Sequence, residues 1–273
     1  MQRMLPRYRG YLFDLDGTIY LGDELLPGAY DLVHILRESG CATLFLSNNP
    51  TRDPQMYADK LGRLGIATPV THIVNPVVTL AAWLRDEAPG ASVFVIGEEP
   101  LKRAIRQAGI RLTDRPEEID IVVASYDRGF DYTKLQIAFD ALWQHGRARL
   151  VATNPDAYCP LAGGRGEPDT AAVVAAIEAS TGVRCEVNVG KPSALMLQTA
   201  LSVLDLPASE CVMVGDRLHT DVAMAVSAGL DSALVLTGES TAEQVDDLAV
   251  EQRPTWVLEQ IIELATWREH AMS

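Results

Sequence analysis

Histidine and cysteine are scarce in this chain, with five of the first and four of the second. Cys41, Cys159, Cys185 and Cys211 are scattered without a Cys-x-x-Cys pair, and the histidines show no metal-ligand spacing, which excludes a zinc ribbon or a dithiol redox centre. Such thiols fit free cysteines in a reducing cytoplasm better than disulfides. Long apolar runs are also missing. No stretch approaches the roughly 18 residues that suggest a transmembrane helix. Met1–Gly10 carries three Arg but lacks the apolar region of a signal peptide. Basic residues are few: 23 Lys and Arg stand against 37 Asp and Glu, a net charge of −14, which argues against nucleic acid or an anionic membrane as partner. A small anionic substrate stays compatible if positive charge is gathered locally. Aromatics are only 6%, yet 48% of the 273 residues are hydrophobic, enough for a substantial core. The length allows one large domain or two ordinary ones.

What is present is a regular alternation. Apolar runs at Tyr11–Asp14, Ala42–Ser47, Ser92–Gly97, Asp120–Ser125, Leu150–Thr153, Glu186–Val189, Cys211–Gly215 and Ser232–Leu236 predict strands. Amphipathic stretches between them, such as Ala29–Glu38, Met56–Leu64, Tyr132–Trp143 and Asp221–Ala228, predict helices. Alternating strand and helix means an α/β fold with largely parallel sheet. Asp53-Pro54 reads as an N-cap with proline at the first helical position, and Gly65 as the residue closing the same helix. Turn-rich Ala67–Pro76 and the joint at Thr181–Cys185 bracket a strand–helix series long enough for its own domain. The expected organisation is a core of residues 1–76 and 186–273, interrupted by an inserted domain of residues 77–185.

The chemistry concentrates at strand ends. Asp14-Leu15-Asp16-Gly17-Thr18 follows the apolar run Tyr11-Leu12-Phe13. It sets two carboxylates beyond the carboxyl end of a strand, where open α/β folds bind ligands. Close carboxylates repel and need a cation or a proton between them; a hard divalent cation fits. Ser47-Asn48-Asn49 follows the second strand and offers a hydroxyl and amide donors at the same edge, although taken alone the cluster reads better as a loop or cap. Gly190-Lys191-Pro192-Ser193 places a lysine beside a helix N-terminus, a natural anion partner, though a solvated surface lysine reads equally well. Cys211–Gly215 leads into Asp216-Arg217-Leu218-His219-Thr220-Asp221. Asp216 can complete a cation site with Asp14. Asp221 can support it from behind or be a first-turn acid favoured by the helix dipole.

Asp-x-Asp, Ser-Asn, Lys and Asp on successive strand ends resemble the motifs of the haloacid dehalogenase-like hydrolase superfamily. Ser47-Asn48-Asn49-Pro50-Thr51-Arg52 and Ala152-Thr153-Asn154-Pro155-Asp156, with the large insertion, resemble its nitrophenylphosphatase-like, NagD-type branch. Val189–Met196 and Ser232–Gly238 look most like sugar phosphatases of bacterial arabinose operons. The resemblance runs from about Tyr11 to Trp256. It implies a Rossmann-like parallel-sheet core, an inserted α/β cap of the large type, and magnesium. The short link from Tyr20 to Ala29 leaves no room for the helical cap of other branches.

By the same resemblance, Asp14 would attack phosphorus to give an aspartyl-phosphate, and Asp16 would serve as general acid and then base. Magnesium would be held by the Asp14 carboxylate, the Asp16 carbonyl and Asp216, with Asp221 behind. Ser47, Asn48 and Lys191 would hold the phosphoryl oxygens. Asp16 argues against a dehalogenase, which lacks the second aspartate. Cap loops around Tyr126, Asp127 and Arg128, and around Asp156 and Tyr158, are expected to select the substrate; packing as ordinary βα loops is the competing reading. Gly163-Gly164-Arg165-Gly166 fits a flexible loop, since it does not match a dinucleotide motif. His219 departs from the acidic or amide residue of many relatives. The expected activity is a magnesium-dependent, cytoplasmic phosphatase acting on a small phosphate ester, most plausibly a sugar or polyol phosphate. A phosphotransferase or mutase and a non-catalytic metabolite sensor are the alternatives, and homo-oligomerisation stays open.

Overall fold

The computed structural model describes residues 5–161 and 165–268. The chain forms two compact units. The first gathers residues up to Ser47, Tyr57–Val74 and those from Leu197 on; the second comprises Asn48–Met56 and Asn75–Met196.

The first unit is built on a six-stranded sheet in the order Trp256–Leu258, Asp231–Val235, Cys211–Gly215, Gly10–Asp14, Ala42–Leu46, Ile73–Val74, parallel throughout. Its strands are apolar on both faces, as a sheet covered on both sides requires. Tyr11 and Phe13 share one face with Phe45, Val212, Val214 and Val235, while Leu12, Leu44 and Met213 are buried on the other. Tyr11 stacks on Phe13 and Phe13 on Phe45, with ring centroids 6.1 and 5.9 Å apart. Helix Ala29–Glu38 buries Ala29, Leu32, Val33 and Leu36, the spacing of one helical face. The helix Pro54–Arg63 starts as its sequence predicts, with Asp53 Oδ1 accepting from the Met56 N–H at 2.9 Å. It ends at Gly65, whose φ of 89° lets the Ile66 N–H reach the Leu61 carbonyl at 2.8 Å and its own N–H the Gly62 carbonyl.

The second unit holds a five-stranded parallel sheet in the order Val187–Asn188, Arg149–Ala152, Ile121–Ala124, Ser92–Ile96, Arg111–Leu112. Alternation divides its sides: Val93, Val95, Ile121 and Val123 pack with Leu80 and Trp83 on one face. Phe94, Ile96, Val122 and Leu150 pack with Leu142, Val173 and Ile177 on the other.

Three local expectations change. The strand expected at Glu186–Val189 joins the second sheet rather than the core: Glu186 and Val189 donate to the Leu150 and Ala152 carbonyls, so their backbone is satisfied there. The joint therefore lies near Met196 instead of Cys185. Tyr158–Leu161 pairs antiparallel with Arg165–Pro168, so Tyr158–Pro160, Arg165 and Gly166 sit in a hairpin instead of loops; Gly163 and Gly164 lie outside the described residues. Finally, the helices expected at Tyr132–Trp143 and Asp221–Ala228 each contain a wider turn with π geometry, at Asp140–Gln144 and Leu218–Val222. Between Tyr20 and Ala29 the chain makes only a short hairpin, Tyr20–Leu21 with Glu24–Leu25.

Candidate active site

In the first unit, sheet register decides which side chains meet. Asp14 lies opposite Leu46, and Phe13 opposite Val214, so Asp14, Ser47 and Asp216 emerge together at the carboxyl edge. Asp14, Asp216 and Asp221 are all buried and offer carboxylate oxygens within 4.8 Å of one another. Asp216 Oδ2 accepts the Glu239 N–H at 2.8 Å, and Asp221 Oδ2 accepts the Arg217 N–H at 3.2 Å. Asp216 Oδ1 is buried without a hydrogen-bond partner among the described residues. Burial, and then the charges of Asp14 and Asp221, push the Asp216 carboxyl up to about 8. A cation would remove that repulsion and give the orphaned oxygen a partner, so the cluster fits a hard divalent ion. The walls leave little slack: a Cβ at Gly17 or Gly238 would run into the Asp216 carboxylate.

Asp16, two residues after Asp14, is exposed. Its loop is tied by the Gly17 N–H donating to the Tyr20 carbonyl at 2.9 Å and by Thr237 Oγ1 donating to the Gly17 carbonyl at 2.8 Å. Ser47 is buried, with its Oγ 2.9 Å from the Tyr57 hydroxyl. Tyr57 and Thr237 are not among the expected site residues: Tyr57 lies within the helix Pro54–Arg63, and although Thr237 falls in the stretch Ser232–Gly238, neither pairing follows from sequence spacing. His219 is exposed on the turn before Thr220.

The second unit carries the remaining expected residues. Asn48 Oδ1 accepts the Lys191 N–H at 2.7 Å, and Asn48 Nδ2 donates to the Lys191 carbonyl at 3.0 Å and to Asp156 Oδ2 at 3.1 Å. Asn154 Nδ2 donates to the Asn48 carbonyl at 3.0 Å. The Asn48 amide, expected as a phosphate donor, is thus engaged in holding the Lys191 backbone. Lys191 itself is buried. Among the expected selecting residues, Tyr126 is buried and its hydroxyl donates to Glu167. Asp127 pairs with Lys134 at 2.7 Å, and Arg128 holds Glu98 through two nitrogens at 2.6 and 2.8 Å. Tyr158 is half exposed, at 51%.

Comparison with known proteins places the chain in a family. Residues 11–111 match the model of the haloacid dehalogenase-like hydrolases, and residues 188–264 a second model described as HAD-hydrolase-like. The acid sugar phosphatase of Staphylococcus saprophyticus is 33% identical over 260 residues, covering 95% of this chain and 98% of that protein. The p-nitrophenyl phosphatase from Archaeoglobus fulgidus superposes with a TM-score of 0.87 at 30% identity, over 96% of this chain and 100% of its own. A glycerol phosphate phosphatase from Mycobacterium tuberculosis, solved in complex with calcium, superposes with a TM-score of 0.84 at 31% identity, over 94% and 74% respectively. The chain therefore belongs to the haloacid dehalogenase-like hydrolases, as a phosphatase of their nitrophenylphosphatase-like, NagD-type branch.

Proposed function

We propose that this enzyme is a magnesium-dependent phosphatase of small sugar or polyol phosphates, working through an aspartyl-phosphate. The observation that carries the reading is the buried cluster of Asp14, Asp216 and Asp221, with the exposed Asp16 two residues beyond the first. The names of the relatives support the substrate class. Asp14, Asp216 and the Asp16 carbonyl would hold magnesium, with Asp221 supporting them; when bound, the ion supplies positive charge against the repulsion between carboxylate and phosphate dianion.

The chain's own residues then divide the work. An Asp14 carboxylate oxygen attacks phosphorus, forming the acyl-phosphate bond as the ester P–O bond breaks. Asp16 gives its proton to the leaving alkoxide, and afterwards takes one from the water that cleaves the acyl phosphate. Ser47, the Asn48 backbone and Lys191 hold the phosphoryl oxygens. The second unit selects the organic group, with the half-exposed Tyr158 as a candidate contact. The four free thiols support a cytoplasmic setting.

The test is direct. Wild-type protein with magnesium should release phosphate from a sugar or polyol phosphate and, on acid quench, retain label from a ³²P-phosphate ester. Asp14→Asn, folded by circular dichroism, should do neither. Turnover by that variant near the wild-type rate would refute the nucleophile.

A further inference from the structure

A buried lysine stands behind the catalytic loop. The Lys60 side chain is only 6% exposed, a costly place for an ammonium unless its surroundings offset the lost water. Its Nζ lies 3.5 Å from the centroid of the Tyr20 ring, which is fully buried, and 3.9 Å from Asp23 Oδ1. Both contacts fall on the hairpin that follows the Asp-x-Asp turn. Asp23 is almost wholly exposed, so water screens that pair, and the ring face is the stronger directional partner.

Tyr20 is where the Asp16 loop closes. The Gly17 N–H donates to the Tyr20 carbonyl at 2.9 Å, and the Tyr20 N–H to the Leu15 carbonyl at 3.2 Å. Asp16 itself forms an isolated bridge with Tyr20. Fixing Tyr20 therefore fixes the backbone on both sides of Asp16. One turn earlier on the same helix, Tyr57 meets Ser47 Oγ. A single helix face thus braces two of the loops that carry the chemistry.

From this we infer that Lys60 is a positioning residue for Asp16, acting through the Tyr20 ring. The inference rests on the reading of Asp16 as acid and base proposed above. A cation over a ring face holds the hairpin in one orientation, whereas an apolar residue of equal length would fill the space without that direction.

Leaving-group dependence separates this role from simple support of the fold, because protonation matters for a poor leaving group and little for p-nitrophenolate. The experiment compares wild type, Lys60→Met, Lys60→Arg and Asp16→Asn on p-nitrophenyl phosphate and on the best alkyl phosphate of the wild-type enzyme. Asp16→Asn should lose far more activity on the alkyl ester than on p-nitrophenyl phosphate. Lys60→Met should lower kcat on the alkyl ester by about tenfold or more, a part of the 10²–10⁴ typical of general acid–base catalysis. On p-nitrophenyl phosphate it should lose about threefold or less, with KM changed by no more than about twofold on either. Lys60→Arg should recover most of the loss, since guanidinium also sits over ring faces. Tyr20→Leu should repeat the selective loss. Equal losses on both esters for Lys60→Met, beside a discriminating Asp16→Asn, would overturn the role of Lys60 alone. An Asp16→Asn variant that does not discriminate would instead overturn the acid assignment, and the inference with it. Failure of both Lys60→Met and Tyr20→Leu to fold would assign the pair to stability and equally overturn it.

Discussion

Asn48 and Lys191, 143 residues apart, are joined by both edges of one amide: Asn48 Oδ1 accepts the Lys191 N–H at 2.7 Å, and Nδ2 donates to the Lys191 carbonyl at 3.0 Å. The asparagine serves as a short piece of backbone pairing against the residue that carries the buried ammonium. Asn48→Ala leaves the Lys191 N–H without this acceptor, at a cost of about 1–3 kcal/mol. We expect a lower melting temperature and a rise in KM on every ester together, as Lys191→Ala should also give. Steady-state kinetics over a panel of esters checks this; a change confined to one ester would contradict it.

Asp216 should make stability depend on pH in a defined direction. Its folded pKa of about 8 lies above the unfolded value of about 3.9, so the folded state binds the proton more tightly. The stabilisation it contributes is complete below about pH 4 and is lost as pH rises through about 8. In chelator, the melting temperature should therefore fall from about pH 5 to about pH 8 more steeply for wild type than for Asp216→Asn. Magnesium should remove most of that slope, because the ion takes the place of the proton. Calorimetry showing identical slopes for the two proteins would refute the assignment.

Tyr158 should influence choice of substrate rather than chemistry. Tyr158→Ala removes a half-exposed ring and should change the ranking of sugar and polyol phosphates by about 10–100-fold in kcat/KM, with p-nitrophenyl phosphate least affected. Tyr126→Phe, by contrast, removes a buried hydroxyl bound to Glu167 and should lower stability more than it alters ranking. Competition assays and melting curves on the two variants separate these effects.

Gly238 permits the close approach of the Asp216 carboxylate. A Cβ there would occupy the space of that side chain, so Gly238→Ala should displace Asp216 while the remote sheets stay folded. The expected result is weaker magnesium binding by isothermal titration calorimetry and a large loss of kcat. Unaltered magnesium affinity would show that the carboxylate has room to move.

The core site was legible in the sequence because each of its residues ends an apolar run, and parallel register carries those ends to one edge. Asp14, Ser47 and Asp216 needed only that rule. The strand at Val187–Asn188 escaped it, since both sheets are parallel and apolar on both faces, and composition does not say which one a strand joins. The hairpins at Tyr20–Leu25 and Tyr158–Pro168 are built from strands of two to four residues, too short for a periodic signal. Side-chain commitments were invisible for a different reason: that Asn48 is engaged with Lys191, or Arg128 with Glu98, depends on distances between remote segments.

The strand order of the first sheet has a consequence for synthesis. The central strand Gly10–Asp14 lies between Ala42–Leu46, made soon after it, and Cys211–Gly215, made close to two hundred residues later. The second sheet, by contrast, has its last strand by Asn188. On the ribosome the inserted unit can finish while the catalytic strand still has one open edge. Asp14 gains its carboxylate neighbours only when the final quarter of the chain emerges, so a prematurely terminated product holds the proposed nucleophile but not the carboxylates that would complete its cation site.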